Sequence, residues 1–151
     1  MKMPDVIAER FFAPCGMNCM VCYVHLKEKK PCDGCLGNDL NKPERCKNCA
    51  IKNCAGSKNL VYCYECSEYP CKSIKNLEKS YTQRYNASLI KNGSIVKEQG
   101  LIAFQASERI KWSCKKCGGV VSLHDGVCSD CGEKHESYLN ILKNKKDGGG
   151  H

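Results

Sequence analysis

Cysteine is the residue whose number and spacing point most directly to chemistry in this sequence. Fifteen of the 151 residues are cysteines, and eleven of them lie between residues 15 and 71. That stretch contains four C-x2-C pairs, which are Cys19/Cys22, Cys32/Cys35, Cys46/Cys49 and Cys63/Cys66. Two cysteines three residues apart on a tight turn can direct both sulfurs at one ion, so this density of pairs predicts structural zinc sites.

Part of the same stretch is an internal repeat. The pattern Cys46-x2-Cys49-x4-Cys54 recurs seventeen residues later as Cys63-x2-Cys66-x4-Cys71. Each copy offers three sulfurs and therefore lacks one ligand for a tetrahedral site. We expect each copy to take its fourth ligand from elsewhere, in the first place from the N-terminal cysteines.

A different kind of metal site is predicted near the C-terminus. Ten residues separate Cys114-x2-Cys117 from Cys128-x2-Cys131, and each pair is followed by glycine. Residues 120–123 favour a strand, and Asp125-Gly126 favours a two-residue hairpin turn. This pattern is typical of a zinc ribbon, in which two turns hold one ion with four sulfurs.

The segments between these motifs are expected to be helical. Residues 72–111 contain no cysteine and show apolar residues at helical spacing, interrupted at Gly100. Asn18 is a suitable N-cap for a helix over 19–29. We therefore predict a small, loop-rich, metal-stapled α+β protein. Its predicted parts are a cysteine-rich multi-zinc segment (11–71), a helical connector (72–111), a zinc ribbon (112–135) and a polar, partly disordered tail (136–151).

Composition favours metal over other ways of stabilising the fold. Mean hydropathy is −0.48 and aromatic residues make up 7% of the chain, so apolar burial alone stabilises it poorly. Disulfides are disfavoured because the N-terminus has no secretory apolar region and the cysteine count is odd. No apolar run approaches the ~20 residues of a membrane span. The expected setting is a reducing cytoplasm, away from membranes.

The net charge is weak evidence for a nucleic-acid partner. The formal value of +8 counts every cysteine as neutral. If all fifteen bind four Zn²⁺ ions as thiolates, the net charge falls to about +1. Lys111, Lys115, Lys116 and Lys134 nevertheless cluster in the sequence around the ribbon, beside Trp112. The partner is therefore left open between protein and nucleic acid.

Taken together, the motifs resemble a prokaryotic family of cysteine-rich proteins classed as a domain of unknown function and proposed to bind zinc. The resemblance rests on Cys15-Gly16-Met17-Asn18-Cys19-Met20-Val21-Cys22, on Cys32-Asp33-Gly34-Cys35, on the two triplets ending at Tyr69-Pro70-Cys71, and on the ribbon. It covers nearly all of residues 11–135. The resemblance implies zinc binding, but the family has no established activity that could be inferred for this chain. His25 is not part of the family pattern.

The predicted metal ligands are all fifteen cysteines, with His25 as a further candidate. Those outside the pairs above are Cys15, Cys54 and Cys71 in the first segment. Fifteen cysteines and one histidine or water make about four tetrahedral zinc sites. His25 lies three residues after Cys22 and would complete three sites in the first segment, or it is a surface histidine.

Two alternatives to structural zinc follow from the same cysteines. Four-cysteine sets also bind iron–sulfur clusters, and Cys15-x3-Cys19-x2-Cys22 has the spacing of radical enzymes that use S-adenosylmethionine. That chemistry needs a much larger barrel than this chain provides. No catalytic arrangement of polar residues stands out. The first hypothesis for function is a metal-stapled binding module, and the second is a redox or metal-handling protein with reactive thiolates.

Overall fold

The computed structural model describes residues 1–135, and helices are the main regular structure within them. The α-helices are α1 (Tyr23–Leu26), α2 (Glu44–Lys47), α3 (Ala50–Ser57), α4 (Lys72–Tyr85), α5 (Leu89–Gln99) and α6 (Leu101–Trp112). Short 3-10 turns lie at Glu9–Phe11, Cys19–Val21 and Cys63–Glu65. The tail predicted at 136–151 lies outside the described residues.

The connector forms three helices where the apolar spacing predicts them. Ser88 begins α5 as its N-cap, because its side-chain oxygen accepts a hydrogen bond from the backbone N–H of Lys91 at 3.0 Å. Gly100 separates α5 from α6 with a positive φ of 92°. In the described part of the chain, no helix combines the length and the apolar character that a bilayer crossing requires.

The single helix predicted over 19–29 is wrong. Asn18 does act as an N-cap, and its side chain accepts a hydrogen bond from the backbone N–H of Met20 at 3.0 Å. It caps a 3-10 turn, however, and Cys22 then takes an extended conformation that interrupts the helix. The C-x2-C turn therefore overrides helical propensity, and only α1 follows it.

β-Structure in residues 1–135 is limited to isolated antiparallel bridges. Three of them lie in the predicted ribbon, at Ser113/Val120, Val121/Cys128 and Val127/Lys134. The predicted strand at 120–123 is thus reduced to two bridged positions. The small size and the cysteine-rich character of the predicted fold are confirmed, but the described residues are rich in helix and have few β-bridges where a loop-rich α+β fold was expected.

One hydrophobic cluster joins sequence-distant parts of the chain. Val21 from the first cysteine segment, Leu89 from α5 and Val121 from the ribbon are each at most 1% exposed and belong to it. A smaller cluster contains Phe12, Val96 and Phe104. The buried apolar residues of the N-terminal segment and of the ribbon are therefore packed in a common core.

The first residues of the chain pair with the ribbon. The backbone N–H of Met3 donates to the carbonyl oxygen of Gly118 at 2.9 Å, and the N–H of Val120 donates to that of Met1 at 2.9 Å. Lys2 and Gly119 form an antiparallel bridge between these two bonds. The N-terminus thus supplies a partner for the backbone of the ribbon, which would otherwise carry unpaired polar groups.

Candidate metal centre

The ribbon consists of two cysteine turns with matching backbone geometry. In the first, the N–H of Gly118 donates to the carbonyl oxygen of Cys114 at 2.8 Å; in the second, the N–H of Gly132 donates to that of Cys128 at 3.0 Å. Both glycines have a positive φ, 78° and 76°. Only glycine adopts this conformation without strain, which explains why each C-x2-C pair is followed by one.

The two turns bring four sulfur atoms together. The Sγ atoms of Cys114 and Cys131 are 3.9 Å apart, and those of Cys117 and Cys128 are 3.5 Å apart. All four ligand atoms lie within 4.8 Å of one another. A tetrahedral zinc ion with Zn–S bonds of about 2.3 Å separates its sulfurs by about 3.8 Å, so these residues fit a four-sulfur metal ion.

Backbone N–H groups point at two of these sulfurs. Gly119 N–H donates to Cys117 Sγ at 3.3 Å, and Asp130 N–H donates to Cys128 Sγ at 3.4 Å. Hydrogen bonds from the main chain stabilise thiolate charge and hold each ligand in its orientation. The site therefore has the supporting contacts that a metal-thiolate centre requires as well as its ligands.

The thiols of the ribbon influence one another's ionisation. Burial opposes ionisation of Cys128, but hydrogen bonds from the backbone of Cys131 and Asp130 and from neighbouring thiols lower its pKa to about 7. Burial, followed by the adjacent Cys128 thiol, raises the pKa of Cys117 to about 12. Four thiols this close cannot all ionise on their own. A divalent cation removes that conflict, because a coordinating thiol is deprotonated outright.

Charged groups surround the second turn. The Asp130 carboxylate pairs with Lys2 Nζ at 2.8 Å and with the N-terminal ammonium of Met1 at 3.5 Å. The hydrogen bond from Lys2 is the largest cause that lowers the pKa of Asp130. Lys2 Nζ also donates to the carbonyl oxygen of Cys117 at 2.6 Å. The N-terminal residues therefore hold the two cysteine turns together from outside.

Outside the ribbon, the predicted ligands lie farther from one another. The N–H of Cys35 donates to Cys19 Sγ at 3.5 Å, so the first two C-x2-C turns are in contact. Burial raises the pKa of Cys15 to about 12, with smaller contributions from Cys35, Cys49 and Cys63. Among residues 1–135, the ribbon is the one group of three or more Cys, His, Asp or Glu ligand atoms within 4.8 Å of each other. Zinc ligation by the other cysteines stays a prediction.

Cys54 is placed differently from the other cysteines of its copy of the repeat. It lines a cleft together with Cys63, Cys66 and Cys71, which form the second copy. Cys49 is the N-cap of α3 and Cys46 lies within α2. We expected the N-terminal cysteines to supply the missing sulfur of each copy, whereas the structure places Cys54 of the first copy beside the second.

His25 is buried under an aromatic ring. Its ring lies 4.5 Å from that of Phe11, and its Nδ1 is 2.6 Å from the carbonyl oxygen of Cys32. Burial is the main cause that lowers the pKa of His25. The alternative that His25 is a surface histidine is therefore wrong. The carbonyl contact fixes the ring orientation, as a carbonyl does for many metal-binding histidines, and ligation by His25 stays a prediction.

Lys42 is a residue near the cysteines whose role the sequence did not suggest. Its side chain is 1% exposed, and its Nζ donates to the carbonyl oxygens of Cys35 and Gly37 at 2.8 and 3.0 Å. It also pairs with Asp39 at 2.8 Å. A buried lysine needs such partners, and here they are the backbone of the second C-x2-C turn. No local pattern around residue 42 signals this role.

Trp112 is not available to stack on a nucleic-acid base. It is 6% exposed and belongs to the main hydrophobic cluster, so its ring is packed inside the protein. Of the lysines near it in sequence, Lys116 pairs with Glu133 at 3.2 Å. The Nζ of Lys111 lies 5.2 Å from the centre of the Trp112 ring.

This geometry defines a cysteine-rich, helix-rich protein whose ribbon forms a four-cysteine cluster able to hold a metal ion. Residues 11–76 match the model of a family described as a protein of unknown function, DUF3795. The match covers the N-terminal part of the resemblance inferred from the motifs and ends before the ribbon. No curated protein and no solved structure matches the chain.

Proposed function

We propose that this protein is a zinc-binding interaction module in which metal replaces part of the hydrophobic core. The observation that carries the proposal is the convergence of the Cys114, Cys117, Cys128 and Cys131 sulfurs within 4.8 Å. A centre with four sulfur ligands has no open position for a substrate or a reactive water. It therefore favours a scaffold over a catalyst.

Two surface features support a role in binding. Ile102 and Ile110 on α6 are 78% and 76% exposed, and α6 leads directly into the ribbon. Lys115 and Lys116 are exposed on the first cysteine turn. An apolar helix face beside a basic turn, both held by a metal-stapled core, is suited to recognising another macromolecule.

The test of the metal is elemental analysis of anaerobically purified full-length protein together with its visible spectrum. Zinc should be present, the protein should be colourless, and Co²⁺ substitution should produce the strong d–d absorption of tetrahedral four-sulfur coordination. A single iron fits the same tetrahedron, but it would colour the protein. Protein without bound metal, or with iron alone, would refute the zinc assignment.

The second candidate, a redox or metal-handling protein, is supported by the exposure of two thiols. Cys131 in the ribbon and Cys54 on α3 are both exposed, whereas Cys114 and Cys128 are buried. An exposed thiolate is accessible to an oxidant or to a competing metal acceptor. Rapid zinc release by stoichiometric peroxide, reversed by thiols, would favour this function. Zinc retained under the same treatment would favour the interaction module.

A further inference from the structure

A cleft of about 260 Å³ lies beside the second copy of the cysteine repeat. Its walls come from the end of α3, the 3-10 turn Cys63–Glu65 and the beginning of α4. Four of its lining residues are cysteines: Cys54, Cys63, Cys66 and Cys71. They do not belong to the ribbon.

The fold fixes the positions from which these four side chains reach the cleft. Cys54 lies within α3, Cys63 and Cys66 are at the two ends of the 3-10 turn, and Cys71 is the N-cap of α4. The turn is held by a backbone hydrogen bond from Cys66 N–H to the Cys63 carbonyl oxygen at 3.0 Å. Each cysteine therefore comes from a structured part of the backbone.

The turn is also attached to the N-terminal segment. The N–H of Cys63 donates to the carbonyl oxygen of Pro14 at 2.8 Å. The turn that carries two of the four cysteines is therefore fixed to the N-terminal segment as well as lining the cleft.

Cations line the cleft as well. Lys58 Nζ donates to Cys66 Sγ at 3.4 Å and pairs with Glu68 at 2.8 Å. Lys72 is a further lining residue. A divalent ion bound by four thiolates carries a net charge of −2, so nearby ammonium groups stabilise the loaded site and a hydrogen bond from one of them supports the Cys66 thiolate.

We propose that Cys54, Cys63, Cys66 and Cys71 hold a second metal centre, separate from the ribbon, through four thiolates. The ligand is a thiophilic metal, either one Zn²⁺ ion or an iron–sulfur cluster, both of which accept four cysteines. Each thiol releases its proton to solvent as its sulfur binds. Cys54 of the first copy is thereby the missing ligand of the second copy.

The spread of these sulfurs gives the site a structural response to metal. They are not grouped as closely as those of the ribbon, whose ligand atoms all lie within 4.8 Å. One zinc ion requires sulfur separations of about 3.8 Å, so zinc binding would bring these four sulfurs closer together. The proposal extends the proposed function to a second site but does not depend on zinc in the ribbon.

The principal experiment compares two double variants of the full chain, Cys63→Ser/Cys66→Ser and Cys128→Ser/Cys131→Ser, with the unmodified protein. Zinc, iron and acid-labile sulfide are measured per chain after anaerobic purification, with a visible spectrum. The first variant should lose one zinc equivalent, or the iron and sulfide of one cluster, and retain the ribbon metal. The second should show the reverse loss.

The two variants separate failure of this proposal from failure of the proposed function. Unchanged metal content in Cys63→Ser/Cys66→Ser overturns the cleft site even if the ribbon variant loses its zinc. Unchanged content in the ribbon variant alone overturns the zinc ribbon and leaves the cleft site standing. Far-UV circular dichroism, which reports the helices α4, α5 and α6, verifies that each variant has folded.

A further comparison tests the assignment of Cys54. Cys54→Ser alone should reduce metal content, and adding it to Cys63→Ser/Cys66→Ser should cause no further loss, because one centre can be lost only once. Cys46→Ser is the matched control from the same copy, and it should leave the cleft metal bound. An additive loss on combining Cys54→Ser with the double variant would place Cys54 in a different site and refute the four-cysteine set.

Discussion

The backbone N–H of Leu123 in the ribbon donates a hydrogen bond to the carbonyl oxygen of Val21 in the first cysteine segment over 3.1 Å. Val21 and the ribbon residues Val120 and Val121 are all 0% exposed. Residues about a hundred positions apart therefore share backbone pairing and a core. The ribbon is structurally continuous with the N-terminal segment, although the connector separates them in sequence.

This continuity predicts that loss of the ribbon metal destabilises the N-terminal segment. Cys128→Ser removes a metal ligand that is 2% exposed and lies in the shared cluster. Structural zinc stabilises small domains by roughly 10–16 kcal/mol at neutral pH, so the variant should lose several kcal/mol of unfolding free energy. Calorimetry should show one cooperative transition at lower temperature, and amide exchange should accelerate at Val21 as well as in the ribbon.

Cys131→Ser provides the matched control, because it removes a ligand of the same site from an exposed position. If the metal causes the stabilisation, both variants should be destabilised to a similar extent. A much larger effect for Cys128→Ser would indicate lost packing instead. A separate low-temperature transition for the ribbon would contradict the shared core.

A second prediction concerns the contact between the first cysteine turn and α5. Gly16 has a φ of 101°, and a Cβ atom there would lie 2.5 Å from the carbonyl oxygen of Leu89. Gly16→Ala should therefore combine backbone strain of about 1–3 kcal/mol with a clash against rigid main chain. We expect a loss of about 3 kcal/mol or more of unfolding free energy in chemical denaturation.

Gly100→Ala separates these two costs. Gly100 has a similar φ of 92°, but an added Cβ would meet no atom within 4 Å. This variant should lose only the strain, about 1–3 kcal/mol. Equal losses for the two variants would show that α5 moves away from Gly16 without cost.

The parts of the structure that sequence predicted are those fixed by local spacing. The C-x2-C pairs followed by glycine specify the two ribbon turns, and apolar periodicity specifies α4, α5 and α6. The cysteine spacing and the apolar periodicity are both set by residues that are close together in the sequence. Two such turns then direct their four sulfurs toward one ion.

The remainder depends on contacts that no local pattern encodes. Pairing of Met1 and Met3 with the ribbon, burial of Lys42 against the second cysteine turn, and the approach of Cys54 to the second repeat all join separate segments. The helix predicted after Asn18 is interrupted for a different reason. The C-x2-C turn places Cys22 in an extended conformation, although Asn18 is a suitable helix cap. The structure therefore overrides the helical propensity of these residues.

A third prediction uses Glu108, a half-buried carboxyl on α6. Burial is the main cause that raises its pKa, although Lys111 and hydrogen bonds from Asn18 and Trp112 oppose the shift. A carboxyl with a raised folded pKa favours the folded state when protonated, and this contribution is lost as pH rises through that pKa. Glu108→Gln removes the ionisation and keeps an oxygen to accept the 3.4 Å hydrogen bond from Asn18.

Glu108→Gln should therefore raise the melting temperature at neutral pH, and its advantage should shrink as the pH falls toward the pKa of an unfolded glutamate, about 4.3. Melting is compared between pH 5 and 8, where variant and parent share the same metal-loaded state. Glu98→Gln, at an exposed position on α5, is the control and should have little effect. A stabilisation that grows toward acid would have the wrong sign for this mechanism.

The last prediction is that any binding of single-stranded nucleic acid is weak, salt-sensitive and independent of Trp112. The one tryptophan of the chain is buried, so its fluorescence should stay unchanged during titration with single-stranded RNA or DNA. Binding to Lys115 and Lys116 would be electrostatic, should weaken steeply between low and physiological salt, and should be lost in Lys115→Glu/Lys116→Glu. The control Lys79→Glu/Lys97→Glu makes the same charge change at exposed positions on α4 and α5 and should retain more of the binding. Salt-resistant binding, or quenching of Trp112, would show that nucleic acid reaches the core of the ribbon by a rearrangement and that the basic turn is not the site.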